Sequence, residues 1–260
     1  MNLFKKVLAG AALATTLLNG AQAAPITVAG VTWDPSSFID FTAASVSIRQ
    51  TIDSTSGVLS GFGTINQING SSTFCNDCEL TFQFSGFTPL SPNLTPTPGG
   101  GTILYRDGTV QVYVGAIDPL NAMSTTMTFA STGDGTLFLG FTGHNDSTSK
   151  ASLLGTTATN TKGDLITGLS GIGILDVIAG ASGGLAGTLF DTNTKQDGAD
   201  FAFSTSFTSS IGGNSFRDSI GTGNFNSKTR PNDVPEPASM ALVGLGLLGM
   251  GAMRRRKSTK

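Results

Sequence analysis

The sequence predicts an all-β fold, a single β-sandwich or jelly-roll-like domain, from three observations. Apolar residues alternate with polar or small ones along residues 80–84, 110–114 and 200–204, as half-buried strands require. β-Branched residues are frequent, and no window shows the three- and four-residue apolar spacing of a helix. Roughly ten short strands are expected, and their number and spacing suit a related barrel in one domain as well, with two smaller sandwiches as the alternative.

The composition narrows the classes of function. Only 12% of the 260 residues are charged, about half the usual ~25%, and 35 are glycine. Two cysteines, one histidine and one tryptophan offer few ligands for a metal cluster and little material for histidine-based catalysis. We therefore expect a protein without enzymatic activity, cofactor or bound metal.

The N-terminal residues 1–23 predict a secretory signal peptide. Two lysines precede an apolar run, and small residues follow it. Ala21 and Ala23 satisfy the A-x-A rule, so cleavage is expected between Ala23 and Ala24. The exported all-β domain should then span residues 24–228.

Two hairpins and one long loop are expected within this domain. The Asp-Gly pair at residues 107–108 suits the positive φ angles of a type I′ turn. A second hairpin is expected at residues 133–135, joining strands at 126–130 and 136–141. Four prolines in residues 88–101 predict a long surface loop, because proline is excluded from central strands.

Residues 229–260 are predicted to form a linker and a C-terminal signal in three parts. An extended peptide comes first, since its two prolines cannot continue a helix. The uncharged residues 238–253 would form a transmembrane helix of about 24 Å, slightly shorter than a ~30 Å hydrocarbon core. A basic tail, residues 254–260, should stay in the cytoplasm. The extended peptide contains Pro235, Glu236 and Pro237. The basic tail contains Arg254, Arg255, Arg256 and Lys257.

This tail resembles the PEP-CTERM sorting signal of Gram-negative bacteria over residues 233–257. The resemblance implies that an exosortase, a polytopic membrane cysteine peptidase, recognises the tail and cleaves near Pro-Glu-Pro. It also implies a transient inner-membrane anchor with the domain in the periplasm, followed by transfer to the cell surface or extracellular matrix. Family members typically occur in bacteria that make exopolysaccharide and biofilm. An ordinary permanent anchor is the alternative.

The charge of the exported part excludes one class of partner. All 17 acidic residues, but only eight of the 15 basic ones, lie between residues 24 and 237, which gives that part a net charge of minus nine. Nucleic-acid binding is therefore not expected, because no basic stripe is available to neutralise phosphates.

Cys75 and Cys78 form a single C-x-x-C motif on the exported side. Thiols oxidise there, so a disulfide between the two residues is expected. A redox-active pair would need a thioredoxin-like βαβ context, whereas residues 79–87 predict a strand. A zinc site would need more ligands than the imidazole of His144 adds.

A group of acidic and amide side chains near Gly198 could hold Ca²⁺ or could form a solvated turn. The spacing does not fit the EF-hand loop. The turn-like composition favours solvated carboxylates of ordinary acidity. The residues are Asp191, Asn193, Asp197 and Asp200.

Two further positions have open interpretations. His144, Asn145 and Asp146 are either a catalytic or sugar-binding trio or a polar loop that follows a strand. Trp33, beside Asp34, is interpreted as a core residue in preference to a sugar-stacking platform.

Three other motif matches are assigned to composition. The G-x-S-x-G match at residues 180–184 lacks a histidine after the serine, and the S-x-x-K match at 147–150 lacks its partner motifs. The G-x-G-x-x-G match at 244–249 lies inside the predicted membrane helix.

The sequence thus predicts a non-enzymatic cell-surface or extracellular-matrix protein, sorted by an exosortase and associated with exopolysaccharide or biofilm. The alternative is a carbohydrate-binding or carbohydrate-active extracellular module. Exposed aromatics on a concave sheet would favour binding, and two buried carboxyls in a cleft would favour glycoside hydrolysis.

Overall fold

A computed structural model describes residues 24–53, 55–91, 101–122, 125–159, 165–209 and 218–230. Residues 24–230 make up one compact unit. Its strands are β1 (Ile26–Val28), β2 (Val31–Trp33), β3 (Phe41–Ile52), β4 (Leu59–Ile65), β5 (Gln67–Ile68), β6 (Glu79–Pro89), β7 (Gly101–Gly115), β8 (Thr136–Gly143), β9 (Leu153–Thr159), β10 (Leu165–Val177), β11 (Phe201–Ser209) and β12 (Asp218–Ser227). The helical segments are single turns: α1 (Gly187–Phe190) and the 3-10 turns Pro119–Ala122, Gly180–Gly183 and Gln196–Gly198.

The strands from β3 to β12 form one antiparallel sheet that closes into a barrel with eight strand positions. Strands at consecutive positions around the barrel are neighbours. The last strand, β12, pairs with the first, β3. β8 and β9 share one position, since both pair with β7 and with β10. β5 is a short addition that pairs with β3.

The expectation of a sandwich or jelly roll is therefore wrong, although the all-β class is confirmed. Alternating burial predicts that one face of each strand is covered. It does not distinguish covering by a second sheet from covering by other strands of the same sheet. Here the meander closes on itself, so the covered faces meet inside a single sheet without edge strands.

The predicted hairpin at residues 107–108 is also wrong, because β7 continues through it. Asp107 and Gly108 have the positive φ angles expected, 58° and 87°. On the neighbouring strand β6, Gly86 also has a positive φ, 74°, and lies between the paired positions Phe87↔Asp107 and Ser85↔Thr109. The two strands bend together here. On its other edge, β7 pairs with β9 before the bend, at residues 101–105, and with β8 after it, at residues 109–114.

The second predicted hairpin is half right. The strand expected at residues 136–141 is present as β8. Residues 126–130 instead form turns, in which the backbone N–H groups of Thr128 and Ser131 each donate to the other residue's hydroxyl. Such local hydrogen bonds compete with strand pairing. In the predicted loop at residues 88–101, Pro89 ends β6 and Gly101 begins β7, and residues 92–100 lie outside the described part.

Phenylalanine–glycine pairs build much of the inner wall of the barrel. In four cross-strand pairs the phenylalanine ring lies over the glycine of the neighbouring strand, and a Cβ at that glycine would come closer than 3.0 Å to the ring. The pairs are Phe84↔Gly61, Phe82↔Gly63, Phe203↔Gly173 and Phe207↔Gly221. The high glycine content thus lets flat rings fill a narrow barrel.

Trp33 is a core residue, as preferred from the sequence. It is 2% exposed, stacks on Phe190 of α1 at 5.4 Å between ring centroids, and meets Phe41 edge-on at 5.7 Å. The β1–β2 hairpin, a sheet of its own, carries Trp33 into this aromatic cluster.

Candidate functional site

His144 lies between two carboxylates on the side of the barrel. Its Nδ1 donates to Asp176, whose two oxygens are 2.8 and 2.9 Å away. Its Nε2 is 3.6 Å from Oδ2 of Asp197. The imidazole is 18% exposed, and the carboxylates of Asp176 and Asp197 are 35% and 29% exposed, so the imidazole is half-buried between two carboxylates that water can reach. We call His144, Asp176 and Asp197 the histidine cluster.

Strand pairing assembles this cluster. Residue 144 directly follows β8, and its backbone N–H donates to the carbonyl of Ile174 in β10 at 3.0 Å. The register Leu175↔Gly143 then places Asp176 beside the imidazole. Asp197 comes from the 3-10 turn before β11, and Ser147 fixes it by donating through its backbone N–H at 2.6 Å and its hydroxyl at 3.1 Å.

The contacts shift the pKa values in opposite directions. Burial alone would lower the pKa of His144, but the hydrogen bond and charge of Asp176, together with the contact with Asp197, outweigh it and raise that pKa. The backbone N–H and then the hydroxyl of Ser147 lower the pKa of Asp197. The cluster thus favours an imidazolium ion facing carboxylates.

This geometry does not form a serine-hydrolase triad. A general base needs a ring nitrogen that can accept a proton from the nucleophile. Both ring nitrogens of His144 face carboxylates, and the Ser147 hydroxyl donates to Asp197. In the S-x-x-K match, Lys150 donates to the backbone carbonyl of Ser147, not to its hydroxyl. These contacts stabilise the loop, and neither His144 nor Lys150 forms a nucleophile–base pair with the Ser147 hydroxyl.

Of the two open interpretations of His144, Asn145 and Asp146, the single trio does not fit the contacts of these residues. Asn145 exchanges two hydrogen bonds with Asp107 at the bend of β7. Asp146 accepts the backbone N–H groups of Thr148 and Ser149, which holds its own loop in a turn and lowers its pKa. The polar-loop interpretation fits these two residues, while His144 belongs to the histidine cluster.

The acidic residues near Gly198 are separated in the structure. Asp191 pairs with Arg230 at 3.0 Å on the surface, and Asp197 belongs to the histidine cluster. Asp200 is 2% exposed and accepts the backbone N–H groups of Val177, Thr192 and Asn193 at 2.8, 2.6 and 2.6 Å. The expected full solvation is therefore wrong for Asp200, because the loop folds around its carboxylate. The expected ordinary acidity is wrong for Asp197.

The remaining motif residues have structural positions. Cys75 and Cys78 form the expected disulfide, with their Cα atoms 5.3 Å apart, just before β6. Residues 180–184 form a 3-10 turn and its C-cap between β10 and β11. No group of three or more His, Cys, Asp or Glu side chains that could hold a metal ion occurs within the described residues.

We expect the free energy of unfolding to decrease as the pH rises through the folded-state pKa of His144. A raised pKa means that protonation favours the folded chain. This stabilisation is complete below the unfolded-state pKa of about 6.5 and is lost as the pH rises through the folded-state value. Denaturant unfolding between about pH 5.5 and 8.5 measures the decrease.

The control is His144→Gln, which keeps an N–H donor near Asp176 without a titrating proton. Its stability should not follow this pH profile, and an unchanged profile would assign the effect to other groups. Because the chain has one histidine, its imidazole NMR signals report this site alone.

The comparisons with known proteins identify the C-terminal tail. Residues 233–257 match the family model of the PEP-CTERM protein-sorting motif. This motif implies export, membrane-associated sorting and processing by an exosortase. Neither the curated proteins nor the solved structures include a match to the chain.

The described part of the chain begins at Ala24, so the predicted signal peptide up to Ala23 lies outside it, as do the helix at residues 238–253 and the sorting residues. Among the residues that are described, no helix has the length and apolar character needed to cross a bilayer.

Proposed function

We propose that this chain is a non-enzymatic protein of the cell surface or extracellular matrix, delivered by an exosortase and associated with exopolysaccharide. The PEP-CTERM motif at residues 233–257 is the observation that carries the proposal. The motif follows a compact barrel in the sequence, so the tail is the sorting signal and the barrel is the domain that is exported.

The non-enzymatic role is supported by how the candidate catalytic groups are used. The imidazole of His144 is held by two carboxylates, and Asp200 is occupied by three backbone N–H groups. A glycosidase acid needs a raised pKa, whereas the pKa of Asp197 is lowered. The exposed phenylalanines Phe38 and Phe129 lie in connections between strands, which does not favour the alternative of a sugar-binding sheet.

Intact-mass analysis of the protein from its native host tests the sorting step. The mature protein should begin at Ala24 and lack residues 254–260. A host without its exosortase, or a variant with alanine at residues 235–237, should retain the basic tail in the inner-membrane fraction. Retention of the tail in the unmodified host would mean a permanent anchor and would contradict the proposal.

A second experiment tests the role of the delivered protein. In a host that cannot make exopolysaccharide, the processed protein should move from the matrix into the medium. Incubation with purified exopolysaccharide should release no oligosaccharides. Release that Asp197→Asn or Asp176→Asn abolishes would make the protein an enzyme, and unchanged matrix retention would remove the polysaccharide association.

A further inference from the structure

The inside of the barrel contains a partly open apolar cavity of about 70 Å³. Six phenylalanines contribute to its lining: Phe82, Phe84, Phe87, Phe203, Phe207 and Phe225. Isoleucine, leucine and valine supply half of the remaining lining residues, and no charged residue occurs among the described residues that line it. A predominantly apolar lining of this kind favours apolar molecules over water.

Two glycines that face each other open this cavity. Gly155 of β9 and Gly171 of β10 are paired in register, and both line the space. A Cβ at Gly155 would meet its nearest neighbour, the carbonyl oxygen of Ile103, at 3.6 Å, which is ordinary van der Waals contact. An added Cβ therefore fits at Gly155, whereas a Cβ at Gly171 would lie 2.8 Å from Oγ1 of Thr205.

The lining also contains one buried amide. Gln50 is 7% exposed and lies between Ile48 and Ile52 on the inner face of β3. An amide can donate to and accept from a ligand hydroxyl, whereas the phenylalanine rings around it offer only apolar contact. The lining therefore combines phenylalanine rings with neutral hydrogen-bonding residues, namely Gln50 and the hydroxyl-bearing Tyr105, Ser170 and Thr205.

We propose that this cavity binds an uncharged hydrocarbon chain with one polar end group. The chain lies among the phenylalanine rings, and the end group hydrogen-bonds to Gln50. An eight-stranded barrel is wide enough for side chains or for one small ligand, which favours a linear chain over fused rings. A charged end group is disfavoured because none of the described residues that line the cavity carries an opposite charge.

Linear 1-alkanols from methanol to hexanol are suitable probes, with binding to the exported protein measured by equilibrium dialysis. Each added methylene should strengthen binding about fourfold until the cavity is filled, after which affinity should level off. Gly155→Leu should abolish binding because its side chain fills the space. Thr222→Leu, which adds the same side chain on the exposed face of β12, should bind like the unmodified protein.

Gln50→Leu separates the polar contact from the apolar one. It should weaken alkanol binding about two- to tenfold while leaving xenon binding in place, since xenon makes only apolar contacts. No alkanol binding, or equal binding by Gly155→Leu, would overturn the proposal. Affinity that rises without levelling off in every variant would show surface partitioning and would overturn it too.

Discussion

Asp200→Ala is expected to lower the free energy of unfolding by about 4 kcal/mol. The carboxylate is buried and accepts three backbone N–H groups, from Val177 at the end of β10 and from Thr192 and Asn193 in the following loop. Hydrogen bonds to charged groups contribute about 1.5–3 kcal/mol each, and a buried donor left without a partner adds its desolvation cost. Urea unfolding of the variant and the unmodified protein measures the difference.

Asp191→Ala is the matched control in the same loop. Asp191 pairs with Arg230, but both side chains are more than half exposed, so its loss should cost less than about 1 kcal/mol. Asp200→Asn should fall between the two, because one amide oxygen still accepts hydrogen bonds. Equal effects of Asp191→Ala and Asp200→Ala would show that the loop does not depend on the buried carboxylate.

Asp200 illustrates what the sequence can and cannot predict about this loop. Its aspartates, asparagine and glycine correctly predict a turn between two strands. Whether a carboxylate in such a turn faces water or the backbone depends on where neighbouring N–H groups point. Three N–H groups converge on Asp200 from two segments, and composition carries no information about that convergence.

The same limit applies to the barrel. Period-two alternation predicts the strands that contain residues 80–84 and 110–114, because alternate burial is a property of one strand. Closure is a property of pairing between distant strands, β12 with β3, which alternation does not encode. Residues 107–108 have the predicted positive φ angles, yet they bend a strand because Gly86 opposite them bends as well.

The histidine cluster was predictable only in part. His144 and Asp197 were candidates because histidine is rare in this chain and because acidic residues crowd near Gly198. Asp176 was missed, since an isolated acidic residue in a strand is ordinary on a solvent-facing side. Only the register Leu175↔Gly143 brings Asp176 to the imidazole. The sequence signal that could have found it is an acidic residue near the end of a strand that pairs with the strand before His144.

Gly63→Ala is expected to destabilise the barrel by about 3 kcal/mol. A Cβ at this position would lie 2.6 Å from the ring Cζ of Phe82 and 2.6 Å from the carbonyl oxygen of Ser47. The ring belongs to β6 and the carbonyl to β3, so the added methyl would push against both neighbouring strands. Overpacking of this kind typically costs 1–3 kcal/mol, and a backbone atom cannot move aside as a flexible side chain can. Urea unfolding measures the loss.

Gly155→Ala is the control, because the nearest atom to its added methyl would be 3.6 Å away. Its stability should remain within about 1 kcal/mol of the unmodified protein, or rise slightly as the unfolded chain loses freedom.

The double variant Gly63→Ala with Phe82→Leu separates the two contacts, since leucine removes the ring but not the Ser47 carbonyl. If the ring carries the clash, Gly63→Ala should cost at least 1 kcal/mol less in the Phe82→Leu background. Equal costs in both backgrounds would assign the strain to the backbone of β3, and a neutral Gly63→Ala would contradict the role of glycine beneath the phenylalanine rings.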